Sequence, residues 1–174
     1  MNGVFLATMS DLASQMVLSA PAAGADPAAE RGLRALLMTL CRNMEDVAPR
    51  NVSVKAAHRG RSLGIDDLRR LHFDDGCRIP GGRRSSSLHW EHWLPVAEMR
   101  RELMSLSDPT PAACRAVLSK ARLCWILKEE DDRLSELGFR SRRPDPDAAY
   151  RAAGIELAYP WDGVKSAGGE YLRS

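Results

Sequence analysis

The chain has 174 residues, 44% hydrophobic and 28% charged, with a formal net charge of +2. That length suits one domain with a core of its own, and no apolar run approaches the roughly 18 residues of a membrane span. Cys41, Cys77, Cys114 and Cys124 form no Cys-x-x-Cys pair, which argues against a structural zinc site and for reduced, mostly buried thiols.

The opening residues carry no basic flank and Asp11 interrupts their apolar run, so the expected location is the cytoplasm. Residues 19–29 are rich in Ala, Pro and Gly and read as a linker, making 1–27 a flexible arm able to dock on a larger protein. Asp26-Pro27 then has the form of a capped helix start, followed by Leu33, Leu36, Leu37, Leu40 and Cys41 at helical spacing. Asn51–Lys55 alternates like a short strand or a crossing loop, and Ser62–Leu71 reads as a short helix burying Leu68 and Leu71. Pro80-Gly81-Gly82 is a turn.

Ser87–Leu94 reads as a strand ended by Pro95, which opens a helix burying Val96, Met99, Leu103 and Leu106. Thr110-Pro111 repeats the cap-and-proline signal for a helix with Cys114, Val117, Leu118 and Ala121 inside. Leu123–Leu127 is a compact apolar strand. Lys128–Leu137 is helical and stops at Gly138, and Pro146–Ala153 forms a last helix before an irregular tail, residues 159–174. The chain thus reads as a mainly helical α+β domain over 28–158, built around a small β-hairpin followed by a helix.

Charge is unevenly spread. Residues 50–84 carry nine basic against four acidic side chains, whereas the segments on either side are slightly acidic. This cationic stretch leads into His89-Trp90-Glu91-His92-Trp93-Leu94-Pro95, which concentrates two of the four histidines and two of the four tryptophans. Arg59, Arg61, Arg83 and Arg84, with Arg140, Arg142 and Arg143 further on, are candidate phosphate contacts, with solvated loops as the ordinary alternative.

The Glu91-His92 pair at a strand end, Pro95 just beyond, a second strand and then an acidic helix resemble the ββα-metal core of HNH-type (His-Me finger) nucleases. The likeness spans about residues 86–137, with a helical insertion between the strands. It implies nucleic acid as partner, DNA first, and hydrolysis of phosphodiester bonds with Mg²⁺ or Mn²⁺. It also implies Glu91 as metal ligand, His92 as general base, and Asp131 (Glu130 or Asp132 less readily) completing the site from the helix. Trp90 and Trp93 would wall it. No asparagine lies downstream of Asn51 and no histidine follows His92, so the alternative is an adaptor or subunit that keeps the scaffold without the reaction.

A plainer reading of the same residues stands beside this one. On a regular strand Glu91 and His92 point to opposite faces, so they share a site only if the strand bends near Pro95. His92 would otherwise sit with Trp90 and Leu94 as a core histidine. Glu129-Glu130 at a helix start is explained by the helix dipole alone.

Overall fold

The structure, a computed structural model, describes residues 3–20, 26–80, 82 and 86–161. It is an α+β fold with helices on both faces of one small sheet. Seven α-helices among the described residues are α1 (Gly3–Leu18), α2 (Pro27–Asn43), α3 (Val54–Ser62), α4 (Val96–Met104), α5 (Pro111–Leu118), α6 (Lys128–Glu136) and α7 (Pro146–Ala152). The strands are β1 (Arg50–Val52), β2 (Leu88–His92) and β3 (Leu123–Leu127).

Local chemistry sets most helix starts. Asp26, Thr110 and Asp145 each accept a backbone N–H of the first turn and each precedes a proline, whose missing N–H costs nothing there. Ser53 caps α3 by accepting the Ala56 N–H at 3.1 Å. This places the helix before the expected Ser62–Leu71 segment, which instead carries a turn with Gly64 at φ 78° and a short 3₁₀ turn, Leu68–Arg70. Leu36, expected on the buried face of α2, lies at the margin of the Leu33–Leu37–Leu40–Cys41 stripe and is 56% exposed.

Two further expectations change. Residues 3–18, read as part of a flexible arm, form a helix of the core: Leu6, Ala13 and Val17 are buried, and the Ser14 hydroxyl donates to the Pro109 carbonyl at 2.6 Å. Small residues let α1 approach α5 closely. Residues 21–25 of the expected linker and 162–174 of the expected tail lie outside the described residues. The two-strand expectation also falls short, because β1 pairs parallel to β3 while β2 pairs antiparallel to it, in the order β1-β3-β2.

β3 is the central strand, and its alternation divides the core. Leu123 and Trp125 face the larger cluster formed with α1, α2, α4 and α5. Cys124 and Ile126 face the smaller one, with Leu134 of α6 and Ala149 and Tyr150 of α7. Trp90 lies opposite Trp125, their rings meeting edge to face at 4.9 Å. The same register sets His89 opposite Ile126 and Glu91 opposite Cys124, so both side chains stand on the α6–α7 face.

Candidate metal centre

α6 follows β3 directly and packs across this face. Its N-terminal turn has no polar cap at Leu127, so Glu130 reaches back and its Oε2 accepts the Leu127 N–H at 2.8 Å. The same oxygen accepts the Ser53 hydroxyl at 2.7 Å, and Glu130 is only 3% exposed. Glu130 is therefore a structural carboxylate that joins α6 to α3. Asp131, the next residue, is turned toward β2.

There His89, Glu91 and Asp131 converge. His89 Nε2 lies 3.4 Å from Glu91 Oε2 and 3.7 Å from Asp131 Oδ1. One ligand atom from each of the three falls within 4.8 Å of the others. With metal–ligand bonds of about 2.1 Å, neighbouring ligands stand about 3.0 Å apart in octahedral and about 3.4 Å apart in tetrahedral geometry. A small closure of the side chains would therefore seat a cation.

The far oxygen of each carboxylate is anchored. Glu91 Oε1 accepts from Arg143 Nη2 at 2.8 Å, and Asp131 Oδ2 accepts from Lys128 Nζ at 2.5 Å. Each acid thus leaves its other oxygen facing His89. Burial alone would raise the Glu91 pKa, but the hydrogen bond from His89 and the Arg143 guanidinium outweigh it and hold the carboxyl below its ordinary range. The three residues border a cleft of about 400 Å³ whose remaining lining is Lys128, Asp132, Ser135 and Arg140.

The structure brings Glu91, Asp131 and Arg140 of the expected residues to this cleft. His92 is not among them. β2 stays regular through His92, without the bend that a joint Glu91–His92 site needs, so His92 points to the opposite face. Its Nε2 lies 2.9 Å from Oε1 of Glu45, in the 3₁₀ turn Met44–Asp46, and the other Glu45 oxygen accepts the Trp90 indole N–H at 3.3 Å. The histidine that joins the acids is His89. The signal for it is the i, i+2 spacing of His89 and Glu91 on a strand.

The expected tryptophan wall does not form. Trp90 belongs to the other face, and Trp93 sends its indole N–H to Asp147 at 3.2 Å, outside the cleft. Nor is Arg143 a phosphate contact: it is 1% exposed, fully engaged inside the protein. Arg142 is exposed, as are Arg59 and Arg61 on α3, where the Arg59 Nε donates to the Ser86 carbonyl at 3.0 Å. Arg83 and Arg84 lie outside the described residues.

Cys124, next to Glu91 across the ladder, is no nucleophile. Burial, Glu130 and Glu91 all push its thiol well above the ordinary value and keep it neutral. Cys41 and Cys114 are also buried. Among the described residues no helix is long and apolar enough to cross a membrane. Comparison of the chain with protein-family models, curated proteins and solved structures gives no match.

Proposed function

We propose that this protein binds nucleic acid and hydrolyses its phosphodiester bonds with a divalent cation held by His89, Glu91 and Asp131. The observation that carries the reading is the convergence of one imidazole and two carboxylates on one point, each acid anchored from behind. An N,O,O donor set suits Mn²⁺ better than Mg²⁺, which prefers oxygen throughout. When bound, such an ion supplies positive charge to a phosphoryl oxygen and makes its water more acidic.

The chain's own residues do the rest. Arg140 gives the cleft a cation that attracts and orients a phosphodiester, while Lys128 is held by Asp131 and Asp132. His89 and the two acids fix the position at which the phosphate meets its nucleophile. The strand–strand–helix order is the one the HNH resemblance implies, but His89 is here a cation ligand, and His92, which that resemblance makes the general base, lies on the opposite face of β2.

A second reading, a non-catalytic subunit of a larger complex, is favoured by one observation. Val4, Leu12 and Leu18 of α1 are 77%, 46% and 57% exposed, an apolar surface of the kind partners cover.

Labelled double-stranded DNA, single-stranded DNA and RNA, incubated with Mn²⁺, with Mg²⁺ and with chelator, separate the two. The nuclease reading expects cleavage that chelator abolishes and that His89→Ala and Asp131→Asn each reduce by about 100-fold or more. Cleavage that survives chelator and both substitutions would overturn it, and binding without cleavage under every condition would favour the subunit.

A further inference from the structure

The structure assigns Arg143 a positioning role: its guanidinium holds Glu91 so that one carboxylate oxygen faces His89 and Asp131. This rests on the reading of those three residues as a cation site. Arg143 is 1% exposed, a costly place for a permanent charge unless every donor is matched. All five N–H groups of the guanidinium have an acceptor. Nε donates to the Phe139 carbonyl at 3.2 Å, and Nη1 to those of His92 and Trp93 at 2.9 and 3.0 Å. Nη2 donates to Phe139 O at 3.0 Å and to Glu91 Oε1 at 2.8 Å.

Two features separate this from an ordinary buried ion pair. An arginine and a carboxylate usually meet in a two-point fork that occupies both oxygens. Here the fork is spent on backbone carbonyls, and Glu91 receives a single bond that leaves Oε2 for the cleft. The carbonyls, moreover, belong to the end of β2 and to the segment that returns after α6. One side chain thus locks the strand carrying Glu91 to the stretch that follows the helix carrying Asp131. This is the outer support that metal-binding carboxylates require, and its loss typically lowers metal affinity about 10–100-fold.

The test is a coupling measurement on the full chain, with Mn²⁺ as probe and free ion read by electron paramagnetic resonance. Arg143→Gln should weaken Mn²⁺ binding by about 10-fold or more, and Arg143→Lys, which keeps the charge, should recover part of it. If Arg143 acts through Glu91, Arg143→Gln adds little further loss once Glu91→Gln is present. Glu98→Gln serves as control, because Glu98 Oε2 accepts the Arg143 backbone N–H at 3.2 Å and an Arg101 guanidinium N–H but does not border the cleft; it should leave affinity within about twofold.

A merely structural arginine would weaken binding equally with and without Glu91, and that result overturns the assignment. So does unchanged affinity in a folded Arg143→Gln protein. Should that variant fail to fold, Arg143→Lys with and without Glu91→Gln carries the same comparison. Failure of the underlying cation site looks different: wild-type protein that binds no Mn²⁺, or binding indifferent to His89→Ala and Asp131→Asn, removes both.

Discussion

His92 Nε2 lies 2.9 Å from Glu45 Oε1, on the face of β2 opposite Glu91. The pair ties the turn after α2 to the edge strand β2 and lies away from the cleft. His92→Ala should therefore act on stability, costing about 1–3 kcal/mol through the partner left buried, and leave metal affinity unchanged. Urea unfolding monitored by circular dichroism, beside an Mn²⁺ titration, checks both halves.

The same pair makes stability depend on pH. Burial works to raise the Glu45 pKa, but hydrogen bonds from His92 and Trp90 and the charge of the nearby histidines hold it below the ordinary value. The unfolded chain then takes up the proton first as pH falls, from about 4.3 downward, so this stabilisation is complete above that value and is lost on acidification through the folded pKa. Unfolding free energy should decline below about pH 4.3, and Glu45→Gln should flatten that decline. An unaltered slope in the variant would contradict the pairing.

Glu130 and Asp131 are adjacent acids with different work. Glu130→Gln removes a carboxylate that serves both Ser53 and the Leu127 N–H, and should cost about 1–3 kcal/mol of stability. Asp131→Asn should do the reverse, leaving thermal unfolding nearly unchanged while lowering Mn²⁺ affinity by about 10-fold or more. Equal effects of the two on metal binding would show that the helix supplies its ligand differently.

Gly138 ends α6 at φ 81°, and nothing lies within 4 Å of where a Cβ would be. Gly138→Ala therefore meets a conformational cost and no clash, about 1–2 kcal/mol. The turn also aims the segment that carries Arg140, so on the proposed nucleic-acid reading the substitution should weaken binding as well as stability. A filter-binding assay on the folded variant measures this.

What was legible in the sequence was what local chemistry decides. Asp26-Pro27, Thr110-Pro111 and Gly138 mark helix ends because caps and left-handed turns are set within a few residues. β1 was legible in part: Asn51–Lys55 alternates like a short strand, but the strand is Arg50–Val52, whose bounds are set only by pairing with the distant Leu123–Trp125. α1 read as an arm because nothing local says that Ser10 and Ser14 face inward. Of the cleft, Glu91, Asp131 and Arg140 were legible as chemistry, whereas the resemblance put the histidine's role on His92, which needs a bend that β2 does not make. The basic triplet looked uniform, yet Arg142 is exposed and Arg143 is 1% exposed, a difference made entirely by tertiary contacts.

The identity of the histidine is tested most directly by titrating the full chain with Mn²⁺ and comparing wild type, His89→Ala and His92→Ala. The geometry predicts one ion per chain, lost in His89→Ala by about 10-fold or more in affinity and retained in His92→Ala. Binding lost in His92→Ala and kept in His89→Ala, or no binding to wild type, would contradict it.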